Sequence, residues 1–296
     1  MPALALDDQH LSKNRLRTTV SLYTRANRRA KARENGEGQV RKIKGTRGAL
    51  AGLCGMGVVL GMAALPARAM AQGAPPAPGS QGVLVDAMSA PAAVLDPMFS
   101  NSAVTREIDS HIFDELVTYN QNYVITPDLA SSWSSAGGGS KWTFHLARGA
   151  KFQNGQPVTG NDVVASLERY MAIGVNGKPM RAEVASVMSP SADVVVIDLK
   201  KPDADFLASL ANPLTFVAVM PAREAATRTP LKPPQLIGTG PYSIAEWVPD
   251  QYTLLKRFAG YVPLSSAMAG GYGGKKVACY KEIKFQVVPR RRGQSG

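Results

Sequence analysis

Cysteine and histidine are scarce in this chain: 296 residues contain two cysteines, Cys54 and Cys279, and three histidines, His10, His111 and His145. Cys54 lies in an apolar leader, read below as cleaved, so Cys279 stands alone in the body and an internal disulfide is excluded there. Neither His111 nor His145 has a metal-ligand partner at helical or hairpin spacing, and the sequence has no G-x-S-x-G and no H-E-x-x-H. A hydrolase is thus left without a nucleophile elbow or a metal site, and the expectation is no enzyme, no metal and no cofactor. His111 is expected to face solvent or the edge of its helix, and His145 the outer face of its strand. The adjacent Asp114 and Glu115 diverge on one helix, cannot form a facing carboxylate pair, and read as a solvated face.

Charge of one sign is also missing from the body, despite a net charge of +12. Residues 1–72 hold thirteen Lys or Arg against four Asp or Glu, and Arg290, Arg291 and Arg292 add three more, whereas residues 73–289 carry eighteen of each sign. A neutral, mixed surface gives no reason to expect phosphate-backbone binding, so nucleic acid is not an expected partner.

What is present begins with a leader. Residues 48–65 are apolar or small throughout, Arg41, Lys42, Lys44 and Arg47 precede them, and Ala69-Met70-Ala71 follows as an A-x-A site. Basic flank, apolar middle and small-residue site are the three parts of a secretory signal, with cleavage expected near Ala71 and an exported product. The competing reading is a membrane anchor, since these residues approach the ~20 needed to span a bilayer. Five glycines within 48–65 and the following Pro66 favour cleavage. Leu53 before Cys54 is too large for a lipoprotein processing site. Residues 1–39 are polar and basic without apolar periodicity, and Val40 stands directly before a conventional signal start, which makes 1–39 a candidate mis-assigned start. The expected organisation is a basic extension and n-region at 1–47, a signal core and cleavage site at 48–71, a Pro/Gly linker at 72–81, a lobe at 82–289 and a foreign tail at 290–296.

Within the lobe, GVLVDAM (82–88), KWTFHLA with Trp142, Phe144 and Leu146 on one face, DVVVIDL (193–199), TFVAVM (215–220), PYSIAEWV (241–248), QYTLLKRF (251–258) and YKEIKFQVV (280–288) read as strands. Val104, Ile108, Ile112 and Leu116 fall at helical spacing. VTGNDVVASLERYMAIG reads as a second helix, with Thr159 as N-cap, Asp162 three residues on and Gly174 at its end. PDADFLASLA starts a third, with Pro202 and two acids in its first turn. In GTGPY (238–242) the glycines are expected to make a tight turn with positive φ rather than a phosphate loop, because Pro241 and a strand follow them. Trp133, Trp142 and Trp247 read as core. The class is α/β or α+β, with mixed sheets.

The ordered stretches VLDPMFSNS…IFDELVTY, PDLASSW, KWTFHLARGAKFQNGQPVTGNDVVASLERY, GTGPYSIAEWVPDQYTLLKRFAGY and YKEIKFQVVP together resemble the extracellular solute-binding proteins of ABC importers, family 5, the group holding dipeptide- and oligopeptide-binding proteins. The likeness runs from about Gly82 to Pro289 and implies the first lobe of a periplasmic-binding-protein fold of the type II, peptide-binding class. In such a fold two lobes close on a solute and deliver it to a permease in the inner membrane; the complete protein is expected to be a monomer. Peptides, nickel complexes and sugars all occur as ligands among such relatives. The resemblance places ligand contacts at Phe99, Ser100 and Asn101, with Ala90 and Pro91 nearby; the plain alternative for each is a surface loop held by local turn hydrogen bonds. Tyr242 is a further candidate, its ring expected to pack and its hydroxyl to need a partner if buried. After Pro289 the likeness stops at RRRGQSG, which reads as a frameshifted or truncated end before the second lobe. The strand carrying Ile283, Phe285 and Val287 is therefore expected to expose apolar surface. A reading of another class is a structural or adaptor remnant that no longer binds solute.

Overall fold

The computed structural model describes Ala77 and residues 79–263, 271–273 and 276–288, all within the unit Met70–Gly296. The leader at 48–71 with Cys54, Gly270, Gly274, Pro289 and the tail at 290–296 lie outside the described residues.

The chain enters as β1 (Gln81–Met88), followed by α1 (Ala103–Asp109), β2 (Val117–Tyr119) and β3 (Ile125–Pro127). Next come β4 (Ala130–Ala136), β5 (Lys141–Leu146), α2 (Gly160–Ile173), α3 (Gly177–Glu183), β6 (Val184–Ser191) and β7 (Val194–Leu199). Two short helices, α4 (Phe206–Leu210) and α5 (Ala222–Ala225), precede β8 (Tyr242–Val248), β9 (Tyr252–Arg257) and β10 (Tyr280–Val287). Two four-stranded sheets result, in the orders β1-β10-β9-β8 and β4-β5-β7-β6, with β2 and β3 as a separate pair. β1 lies parallel to β10, and every other pairing is antiparallel.

Alternation builds the second sheet. Trp142, Phe144 and Leu146 are buried and His145 is exposed, as period two requires. Across β5, Phe144 stands opposite Val195, and both are completely shielded. A side chain of that size contributes about 1.5–3 kcal/mol on burial. The outer strands β4 and β6 carry serines and Pro190 in place of an apolar period; proline is tolerated there because an edge strand has one free side. In α2, Thr159 donates from its backbone N–H (2.9 Å) and its hydroxyl (2.6 Å) to Asp162 Oδ2, and the helix ends at Gly174.

Several local expectations fail, each for a tertiary reason. The helix beginning at Ala103 stops at Asp109 instead of running on to Leu116. Beyond it, Ile112 O accepts Gly240 N–H (2.8 Å) and Gln153 Nε2 (2.8 Å), and His111 O accepts Tyr242 N–H (3.0 Å). Ile112, Phe113 and Leu116 stay buried, but on a backbone bonded to distant loops. The two glycines of GTGPY have no positive φ. They permit close approach instead: a Cβ on Gly238 would sit 2.0 Å from Ile112 O, and one on Gly240 would sit 2.7 Å from His111 O. Residues 216–220 are buried and Thr215 is half-buried, but 215–220 form no strand. Their N–H groups go to a Glu115 carboxylate oxygen (Val217, 3.0 Å), Asp114 O (Val219, 3.1 Å) and the Ser166 hydroxyl (Met220, 3.0 Å). α4 starts at Phe206, not at Pro202, because Leu199 and Asp203 are bonded through their N–H groups to the β4–β5 turn at Ser140 O and Gly139 O.

His111 does not face solvent. Its half-buried ring lies edge-on to Tyr242 and Phe285, with centroids 6.1 and 5.6 Å away, and burial lowers its pKa. Ile283 and Phe285 are buried, since β10 is an inner strand flanked by β1 and β9. The exposed apolar strand is β1, where Val83, Leu84 and Val85 are 52%, 36% and 60% exposed.

Candidate ligand-binding face

The loop between β1 and α1 carries the expected contacts, and a buried ion pair fixes it. Asp96 and Arg169 have fully shielded side chains and meet bidentately, Nη1 to Oδ1 at 3.1 Å and Nη2 to Oδ2 at 2.6 Å. Each carboxylate oxygen also accepts a backbone N–H, from Met98 at 3.1 Å and Leu231 at 2.8 Å. Arg169 spends its remaining reach on Thr227 O (2.8 Å) and Thr229 O (3.1 Å). A buried charge pair is tolerable only when its other hydrogen bonds are filled, and here they are. The loop is thereby tied to α2 and to residues 227–231. Its signal in the sequence is an arginine on the apolar stripe of α2, beside Ser166 and Tyr170, which demands an acid from elsewhere.

On this base Phe99 is half-buried, with the Arg169 guanidinium carbon 5.5 Å from its ring centre. The Ser100 hydroxyl donates to Thr105 Oγ1 (3.2 Å) and accepts Ser102 N–H (3.2 Å). Asn101 is exposed, and its carbonyl accepts Arg106 Nη1 (2.8 Å). Phe99, Ser100 and Asn101 thus lie together in one hydrogen-bonded loop. Ala90 and Pro91 lie beside Trp247 and Tyr252 around a crevice of about 10 Å³, no larger than a water. Tyr242 is elsewhere. It is 4% exposed, its hydroxyl donates to Tyr280 O (3.1 Å) and accepts Tyr280 N–H (3.3 Å), and none of these contacts involves the turn.

A second charged cluster escaped the sequence reading. Asp114 and Glu115 are buried rather than solvated. Lys276 Nζ pairs with Asp114 Oδ1 and, at 3.1 Å, with Asp128 Oδ1, while Asp128 Oδ2 accepts Glu115 N–H at 2.8 Å. Glu115 turns the other way, to Val217 N–H. Burial pushes Asp128 up to about 7 against the pull of Lys276, with Asp114 adding repulsion. Glu115 is raised well above the usual carboxylate range by burial and then by Asp128. Burial opposes the charge on Lys276, but Asp114 and Asp128 outweigh it and raise its pKa. The cluster walls a cleft of about 320 Å³ rimmed by Arg148, Lys151, Thr239 and Tyr261. Its two acids clasp a lysine, so neither is arranged as a free acid or base. Among the described residues, no group of three or more His, Cys, Asp or Glu is placed to hold a metal ion.

The profile described as "Bacterial extracellular solute-binding proteins, family 5 Middle" matches residues 124–294. The chain belongs to this family. It is a family of solute-binding proteins rather than of enzymes. Similar proteins include the nickel-binding periplasmic protein of Escherichia coli (strain K12), 30% identical over 187 residues, covering 61% of this chain and 32% of that protein. The probable D,D-dipeptide-binding periplasmic protein DdpA of the same strain is 32% identical over 131 residues, covering 43% of this chain and 25% of the relative. Among solved structures, the periplasmic binding protein AgaA from A. tumefaciens R10, in complex with agropinic acid, superposes with a TM-score of 0.59 at 25% identity, covering 70% of this chain and 40% of that one. The Escherichia coli murein tripeptide binding protein MppA gives 0.59 at 21% identity, covering 71% and 43%, and shows the fold alone. The chain spans about a third of the length of the curated relatives it matches, and its share of the solved structures fits a single lobe.

Proposed function

We propose that this chain is the exported, periplasmic substrate-binding component of an ABC importer for peptides, contributing the first-lobe half of the ligand site through Phe99, Ser100 and Asn101. The observation that carries the reading is the turn at 99–101 on its buried Asp96–Arg169 anchor, on a lobe whose family binds solutes. A loop held by a buried ion pair, with a half-buried aromatic ring and the exposed Asn101, is suited to a peptide main chain, since a preorganised site loses little on binding. Dipeptide- and tripeptide-binding proteins among the relatives support the peptide reading, beside a nickel-binding one.

One lobe cannot enclose a ligand or exclude water. Each 1.4 kcal/mol costs about tenfold in affinity, and each hydrogen bond to a charged group that a second lobe would supply contributes about 1.5–3 kcal/mol. Calorimetry against mixed di- and oligopeptides is therefore expected to show no micromolar isotherm. Amide NMR with the same peptides is expected to shift residues 99–101. Peptide-induced shifts elsewhere with none at the turn would overturn the site, and micromolar binding by the monomer would overturn the two-lobe argument. Export has its own test: the mature N-terminus is expected at or near Gln72, and a membrane-integral product retaining 48–65 defeats it.

A further inference from the structure

A hollow of about 440 Å³ opens between α2, α3 and β6, lined by three cations, Arg181, Lys200 and Arg228, against a single acid, Glu168. The imbalance is local, since residues 73–289 carry eighteen charges of each sign. Among the described residues, none of the three cations forms an ion pair with a carboxylate. Backbone carbonyls hold two of them instead. Lys200 Nζ donates to Arg181 O (3.2 Å) and Ala182 O (3.0 Å), in the last turn of α3, where carbonyls lack helical partners. Arg228 Nη1 donates to Ala225 O (2.7 Å) at the end of α5. Each keeps donors to spare: one N–H on the Lys200 ammonium and most of the Arg228 fork. Beneath the charged rim the floor is apolar, with Met171 and Val184 buried and Val187 half-buried. None of Phe99, Ser100 and Asn101 lines this hollow, so it is separate from the turn at 99–101.

We propose that the hollow binds a small organic anion carrying at least two negative charges, as carboxylates or as a phosphate ester. Arginine forks match the paired oxygens of either group, and hydrogen bonds between ions are the strong ones. Three cations around one hollow favour several charges on one ligand. The apolar floor favours a carbon skeleton over a bare inorganic ion. The volume falls within that of ordinary small-molecule sites, about 300–1,000 Å³. Carbonyls that already hold Lys200 and Arg228 reduce the freedom these side chains lose on binding. Glu168 opposes the anion, and that gives the site a test of sign.

Calorimetry on the full chain at constant ionic strength uses citrate and glycerol 3-phosphate as probes, with acetate as the monovalent control. At least one probe is expected to bind with a dissociation constant below about 1 mM, and acetate at least about tenfold more weakly. Binding of citrate alone, of glycerol 3-phosphate alone or of both supports the proposal and tells which acidic group the site takes. Lys200→Gln and Arg228→Gln are each expected to weaken binding at least about tenfold. Glu168→Gln removes the opposing charge and is expected to tighten it about twofold to fivefold. Lys201→Gln makes the same change of charge at a neighbour that does not line the hollow, and should leave binding within about twofold. All four side chains are exposed, so circular dichroism and melting should stay those of the parent. No binding of either probe below about 1 mM overturns the proposal, as does acetate binding as tightly as the probes. Equal weakening by Lys201→Gln and Lys200→Gln also overturns it, because a diffuse surface field would then account for the binding.

Discussion

Two buried clusters of acidic and basic side chains behave differently. Asp96 and Arg169 meet through both oxygens, and their further hydrogen bonds go to backbone groups. Asp114 and Asp128 share the single ammonium of Lys276, at the wall of an open cleft, with Glu115 behind them. The first is a joint that holds the loop carrying Phe99, Ser100 and Asn101. In the second, burial pushes Asp128 up to about 7 against the pull of Lys276, and the repulsion of Asp114 adds to the rise. Pairing and access to water, rather than burial alone, separate a fixed joint from a titrating one.

The comparison is broken most directly at Arg169. Arg169→Leu leaves Asp96 buried and unpaired, and urea unfolding is expected to show a loss of about 3–5 kcal/mol. Lys276→Met should cost less, about 1–3 kcal/mol at pH 8, because the cleft admits water and Asp128 can take up a proton. A larger loss at Lys276 than at Arg169 would reverse the ranking.

The pH profile sharpens the contrast. Asp128 is raised from 3.8 to about 7 in the folded chain, so the fold binds this proton more tightly than the unfolded chain does. Its stabilising contribution is complete below about pH 4 and is lost as pH rises through about 7. Asp128→Asn is expected to flatten the stability profile across that window in denaturant titrations at successive pH values; an unchanged slope counts against the assignment. The smallest effect belongs to Asp109, whose buried carboxyl oxygens have no hydrogen-bond partner. Burial, then the nearby Asp96, raises its pKa well above the usual range. By the same sign, Asp109→Asn should change stability by less than about 1 kcal/mol at pH 5 and stabilise the chain at pH 9.

Much of the fold was legible wherever a segment's own side chains decide its shape. β5 and β7 follow their alternation, α2 its capping residues, and β8, β9 and β10 their β-branched and aromatic runs. Residues 110–116 and 215–220 were not legible, because their backbones are bonded to residues far away in sequence. Asp114 N–H takes the Thr239 hydroxyl across 125 positions, and Val217 N–H takes the Glu115 carboxylate across 102. Periodicity sees apolar residues at helical spacing there, but not the partners that claim the backbone. Of the candidate site, the turn at 99–101 followed from resemblance, whereas its anchor did not: Asp96 and Arg169 are 73 positions apart. Tyr242 was legible as a packed tyrosine seeking a hydroxyl partner, which Tyr280 supplies.

The parallel pairing of β1 with β10 also sets an order of events during synthesis. Gln81 must wait for Tyr280, and Met88 for Val287, before the first strand has its neighbour. Closing a loop of that length carries a large entropic cost and slows folding. The β4-β5-β7-β6 sheet, by contrast, is drawn from residues 130–199 and needs nothing made later. A nascent chain therefore reaches residue 280 with one sheet able to close and its earliest strand still single. That strand stays unpaired until β10 is made.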